Sequence, residues 1–286
     1  MLHGEVFPRN LLAEGFRFEG VRVPLIAPQG IFKPAILPEM PLSITTVPEV
    51  AGRDRPYQDE LGPDGLLRYR YRGSDPGHRD NVGLRLAMQR RVPLVYFFGI
   101  VPGFYMPVWP VFVAQDSPEL LTFAVAVDDA RINVPSPGPD DAIAAEGRRA
   151  YVTTVTLRRL HQQGFRHRVL RAYQESCAVC SLRHQELLEA SHILPDGHPL
   201  GGEPTVPNGI ALCKLHHAAY DRNVLGIRDD LRIVVRADVL REEDGPMLRH
   251  GLQGFDGLTV TVPRSVSLRP NPEFLAERFE IFRRAS

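Results

Sequence analysis

Cysteine and lysine are almost missing from this 286-residue chain. The 3 cysteines, Cys177, Cys180 and Cys213, fall within one short stretch. An odd count, in a chain whose N-terminal MLHGEVFPRNLLAEGF lacks the apolar core of an export signal, excludes a disulfide framework and sets the cytoplasm as the expected location. Lysine occurs only at Lys33 and Lys214, so positive charge is carried by arginine, which suits bidentate phosphate contacts but is equally a mark of GC-rich coding. An excess of one charge is also absent: 34 basic and 34 acidic residues cancel, so net charge does not announce a nucleic-acid binder. No apolar run approaches the roughly 18 to 20 residues of a membrane helix, which excludes a helical span and a membrane partner. There is no internal repeat.

What the chain does have is enough apolar residue, 43%, for about two ordinary cores. Residues 1–135 read as many short strands separated by Pro and Gly: Val21–Ile26, Ile31–Leu37, Leu67–Arg72, Val92–Ile100, Pro107–Ala114 and Leu121–Val127. Helices are expected at Pro8–Gly15 and at Asp80–Arg90, the latter with Val82, Leu84, Leu86 and Met88 as partly periodic apolar positions. Such a pattern predicts a barrel or sandwich. Residues 136–150, rich in Pro, Gly and Asp, read as a linker. In residues 151–286, alternation predicts a strand at Tyr151–Leu157, and 3.6-residue periodicity predicts a helix at Gln163–Ser176. That helix carries Phe165, Val169, Leu170 and Tyr173 on one face, with Arg166, Arg168 and Arg171 opposite, as phosphate contacts or a solvated face. Then follow a strand (Leu187–Leu194), a Gly/Pro loop, a strand (Ile210–Cys213), a helix (Lys214–Asp221), strands at Leu231–Val235 and Leu258–Pro263, and a helix (Pro272–Arg284).

The chemistry gathers between Cys177 and Asp221. Cys177-x-x-Cys180 and Cys213-x-x-His216 are two pairs at knuckle spacing, suited to one tetrahedral zinc of structural type. Within that frame lie His192, at the end of a strand, Asn208, in the loop before the next, and His217, one residue past the second pair. Asp221 is four residues beyond His217, on the same helix face, where a carboxylate and an imidazole can share an ion. The ordered set closely resembles the HNH (ββα-metal) nucleases. The resemblance implies a strand–loop–strand–helix unit in which His192 is the general base, Asn208 orients the base or helps hold the cation, and His217 binds a catalytic divalent metal, Mg²⁺ or Mn²⁺. Ser191 stands where many of these enzymes have an Asp or His ligand, which passes the load to Asp221 and Asn208 and brings Glu189, two residues earlier on the same strand face, into consideration.

A second group lies in the N-terminal part. Tyr57-Gln-Asp59-Glu60, Asp64-Gly65, Tyr69-Arg-Tyr71-Arg-Gly73 and Asp80-Asn81 together resemble the signature of SRA domains, PUA-like β-barrels that flip a modified cytosine out of duplex DNA. The resemblance implies that Tyr57 and Tyr71 sandwich the base and that Asp59 or Glu60 reads its exocyclic amine. Arg72 stands where a small hydroxyl residue is common.

The expected protein is thus α+β: an SRA/PUA-like barrel at 1–135, a linker, and an HNH domain with a zinc knuckle at 151–286. The expected activity is a modification-dependent restriction endonuclease acting on double-stranded DNA that carries 5-methylcytosine or 5-hydroxymethylcytosine. One site cuts one strand, so a homodimer is expected. The alternatives are an HNH endonuclease reading N6-methyladenine, a phosphorothioate or plain sequence, and a zinc-knuckle DNA-binding module without catalysis.

Overall fold

A computed structural model describes residues 6–48, 60–127, 139–243 and 245–285, with backbone only at 60 and 139–148. The expected pocket residues Tyr57 and Asp59 lie outside these, as does the side chain of Glu60. The chain divides into two compact units, Met1–Leu160 and His161–Ser286.

The first unit holds β1 (Phe7–Pro8), α1 (Arg9–Glu14), β2 (Phe16–Phe18), β3 (Val21–Val23), β4 (Ile31–Phe32), β5 (Ser43–Thr45), β6 (Glu60–Leu61), β7 (Leu67–Arg70), α2 (Arg79–Gln89), β8 (Leu94–Val101), β9 (Phe104–Ser117) and β10 (Thr122–Val127). Eight of the strands form one sheet in the order β4-β5-β8-β9-β10-β7-β6, with β1 also paired to β9. The middle residues of β8, Tyr96 to Ile100, are buried without alternation, the mark of a strand covered on both faces. The sheet curls: Tyr69 on β7 donates its hydroxyl to Gly30 O at 3.0 Å and lies 3.4 Å from Thr45 O on β5, near the sheet's other end. Trp109 and Pro110 fall where the β8–β9 register slips by one residue, a bulge at which a missing N–H is tolerated. On α2 the buried positions are Asp80, Asn81, Gly83, Leu84 and Ala87, whereas Val82, expected on the apolar face, is exposed.

The helix α3 (Pro139–Ala172) runs through residues expected as linker and as strand, and the division between the units falls inside it. Pro139 followed by two Asp suits a helix start. The alternating Thr and Val of Tyr151–Leu157 misled because Thr153, Leu157 and Leu160, at i, i+4 and i+7, satisfy the helical period, and all three are buried.

The second unit continues with β11 (Leu188–His192), β12 (Gly209–Cys213), α4 (Lys214–Asp221), β13 (Leu225–Ile227), β14 (Ile233–Val235), α5 (Ala237–Arg241), α6 (Pro246–Gly251) and α7 (Pro272–Ala285). Strands β11 and β12 are antiparallel with His192 opposite Gly209, and α4 follows β12 directly, giving the expected strand–loop–strand–helix order. Phe165, Val169 and Leu170 of α3, and Tyr173 just past its end, join the core with Leu188, Ile210, Leu212, Leu225 and Leu275. The strand expected at Leu258–Pro263 is reduced to one bridge, Thr259 to Arg232.

Candidate functional site

Two groups of donors flank α4. The first is closed and buried. His216 Nδ1 lies 3.1 Å from Cys213 Sγ and 3.6 Å from Cys177 Sγ, and the Cys180 and Cys213 sulfurs are 3.9 Å apart. All four donor atoms fall within 4.8 Å of one another. A tetrahedral zinc with ordinary bond lengths would set them about 3.5 to 3.8 Å apart, so the residues fit that ion. His216 Nε2 donates to Gly251 O at 2.9 Å, which leaves Nδ1 free as the ligand atom. Hydrogen bonds from Cys180 and Cys213 push the Cys177 thiol down, while the contacts of Cys180 with Cys177 and Cys213, together with burial, push its own up. A bound divalent metal would hold all three as thiolates.

The second group is open. β11 turns Glu189 and Ser191 toward α4, because residues two apart share a strand face. Glu189 Oε2 is 2.5 Å from His217 Nδ1, and Ser191 Oγ donates to Asp221 Oδ1 at 3.4 Å. On its other side His217 Nε2 is 3.3 Å from Asp221 Oδ2, the i, i+4 pairing expected on the helix. His217 and Asp221 could therefore hold a cation between them.

His192 ends β11, half-buried. Its ring stacks on Phe165, centroids 4.0 Å apart and planes at 18°. Gly209 makes this possible: a Cβ there would lie 2.4 Å from Val169 Cγ2 and 2.9 Å from Phe165 Cζ, so only glycine lets α3 approach. Burial lowers the His192 pKa below its ordinary value, with His217 adding to the effect and Asp196 and Asp221 opposing it. A histidine so placed is neutral at neutral pH and can accept a proton.

Residues 177–228 match the family model HNH_2, HNH endonuclease. That segment is an HNH endonuclease domain. No curated protein matches the chain. Among solved structures, a modification-dependent TagI restriction endonuclease is similar over 85% of this chain and 82% of that one, at 16% identity and a TM-score of 0.30.

Within the HNH domain Asn208 faces the loop that follows β11. It is fully buried, its Nδ2 donates to Leu194 O (3.0 Å) and Glu203 O (3.1 Å), and its Oδ1 accepts from Leu194 N–H (2.9 Å). With both amide protons and its oxygen bonded to backbone, Asn208 ties down the loop that follows His192. Arg166 is likewise committed, donating to Gln185 O (3.0 Å) and Leu188 O (2.9 Å), and Arg168 donates to Pro204 O at 3.0 Å. Periodicity places Phe165 on the apolar face of its helix and gives no sign that it stacks on His192. The cross-strand pairing of His192 with a glycine was the available hint that a ring from elsewhere covers it. Arg278, on the apolar side of α7, was missed. Buried, it donates to Asn223 Oδ1 at 2.6 Å and to Tyr220 O, with its guanidinium 4.6 Å over the Tyr220 ring. It satisfies the carbonyl end of α4, the helix that carries both histidines.

In the first unit Tyr71 is 3% exposed and stacks on Phe123 at 4.5 Å. Its hydroxyl donates to Asp116, and Arg85 joins both, with Nε 2.6 Å from Asp116 Oδ2 and a second nitrogen donating to the Tyr71 oxygen at 3.2 Å. Burial and the Asp116 contact raise the Tyr71 pKa. Asp80 is buried among Arg72, Lys33 and His78, and Asn81 clamps the backbone of Arg72 and Asp75.

Proposed function

We propose that this protein is a metal-dependent DNA endonuclease of the modification-dependent restriction type. The observation that carries the nuclease reading is the HNH endonuclease match over residues 177–228, in which His192 ends β11 and His217 and Asp221 pair on α4. In this mechanism His192 takes a proton from the attacking water as the water oxygen bonds to phosphorus. The 3′ oxygen leaves and is then protonated, giving 5′-phosphate and 3′-hydroxyl ends. Asn208 keeps the loop after His192 from shifting the base. A Mg²⁺ or Mn²⁺ held by His217 and Asp221 would stabilise the charge that develops on the phosphate and the leaving oxygen. Zinc on Cys177, Cys180, Cys213 and His216 would be structural, its four positions closed by protein donors.

The first unit is read as the modified-base reader, an SRA/PUA-like domain. Support comes from its sequence signature and the curl of its sheet. Tyr57, Asp59, Glu60 and Tyr71 are the proposed pocket. Tyr71 is buried, with one face on Phe123 and its hydroxyl held by Asp116, an observation that favours as a second reading a domain that recognises another mark or plain sequence. Double-strand cutting would require two copies of the chain.

The test is cleavage with Mg²⁺ or Mn²⁺ of matched duplexes that are unmodified or carry 5-methylcytosine, 5-hydroxymethylcytosine or N6-methyladenine, with His192→Ala alongside. Cutting confined to cytosine-modified DNA and absent in the variant is expected. Equal cutting of every duplex would keep the nuclease and remove the base reader; no cutting of any would leave a DNA-binding module.

A further inference from the structure

We propose that Glu189 is a positioning residue of the nuclease site. Its carboxylate holds His217 by Nδ1, so that Nε2 is the atom turned toward Asp221 and a divalent cation. The inference rests on the nuclease reading above and deepens it.

An imidazole can bind a cation through either nitrogen, and its ring can turn over about the Cβ–Cγ bond. Something must choose the nitrogen. In this site the choice is built into two rungs between β11 and α4. Glu189 meets His217 at 2.5 Å, and Ser191 meets Asp221 at 3.4 Å. A carboxylate can only accept, so the proton of the Glu189 contact sits on Nδ1. Nε2 then points the other way, 3.3 Å from the Asp221 carboxylate. Glu189 and Asp221 thus face opposite edges of one ring, so a single cation at Nε2 is reached by Asp221 and not by Glu189.

The same logic operates at the neighbouring histidine, where a backbone carbonyl takes the non-ligating nitrogen of His216. Outer partners of metal-binding histidines typically contribute about 10- to 100-fold in metal affinity. The surroundings fit an entry side for a hydrated ion: the side chains of Glu189 and Asp221 are 40% and 58% exposed, and that of His217 24%. Ser191, where many HNH enzymes have an Asp or His ligand, is fully buried, and its hydroxyl steadies Asp221.

The experiment is Mn²⁺ binding to the full chain without DNA, read by the electron paramagnetic resonance of free Mn²⁺, for wild type, Glu189→Gln, Glu189→Ala and His217→Ala. Zinc content and melting temperature serve as fold controls. His217→Ala should abolish the site. Glu189→Gln, which keeps an acceptor for Nδ1, should weaken Mn²⁺ several-fold, and Glu189→Ala by about 10- to 100-fold. DNA nicking by both Glu189 variants should return to near the wild-type rate at saturating Mn²⁺, because the ligands themselves are intact. Wild-type affinity in Glu189→Ala would overturn the positioning role while leaving the cation site standing. A nicking defect that saturating Mn²⁺ does not relieve would overturn it by making Glu189 a direct ligand. Absence of any His217-dependent Mn²⁺ binding in the wild type would sink this inference together with the cation site beneath it.

Discussion

His216 and His217 are adjacent on α4, yet their surroundings are opposite. His216 is 1% exposed and closed in by three thiols, whereas His217 is partly open between two carboxylates. A helix turns about 100° per residue, so neighbouring side chains look in different directions. The pair teaches how one short helix can carry a closed donor cluster on one side and an open one on the other. Soft, buried, fully protein-supplied donors suit a permanent zinc. Hard oxygen donors with an accessible side suit a cation that must also meet a phosphate.

The sharpest test of this division is to remove the closed site. Cys213→Ser, or a strong chelator, should unfold the second unit, since structural zinc sites contribute about 10 to 16 kcal/mol in small domains. Hydrogen exchange should lose protection in β11, β12 and α4 while the curled sheet of the first unit keeps its own. Retained protection in β11 and β12 would break the comparison. Next in size is the open side. His192→Ala should slow nicking by about 10²- to 10⁴-fold with zinc content unchanged. Loss of zinc in that variant would mean that the two sides are not separable.

Phe165→Ala comes third. Emptying the space of a buried Phe should cost about 3 to 5 kcal/mol in denaturant melts. The same variant sharpens a smaller effect in the pH profile. Burial lowers the His192 pKa, so the neutral base persists below pH 6.5 and nicking fails only as pH drops through the lowered value. Baring the ring raises that pKa back toward 6.5, so the acidic limb should move to higher pH. The linkage has the matching sign: the unfolded chain binds that proton more readily, so wild-type stability declines as pH falls below 6.5. An unmoved limb in Phe165→Ala would show that Phe165 packs without tuning.

The second unit was the more legible one. Knuckle spacing gave the four residues of the thiol–imidazole cluster, and i, i+4 geometry gave His217 with Asp221, because both are local rules of backbone geometry. Phe165 over His192 and Arg278 under Tyr220 could not be read that way, since each joins residues 27 and 58 positions apart. Spacing alone singles out Asn208, but only its hydrogen bonds reveal that its amide faces the loop. In the first unit most strands were found from Pro and Gly punctuation. The helix α3 was hidden because threonine and valine alternation satisfies a strand period while Thr153, Leu157 and Leu160 satisfy a helical one. Burial of Tyr71 was beyond local pattern as well, since Phe123 and Asp116 reach it from distant strands.

Arg278 has a consequence in time as well as in space. A ribosome makes the thiol–imidazole cluster and both α4 histidines well before it reaches α7. Until Arg278 emerges, the carbonyl of Tyr220 and the side chain of Asn223 lack the partner that anchors the end of α4. The blade is forged early in synthesis and locked into its handle late.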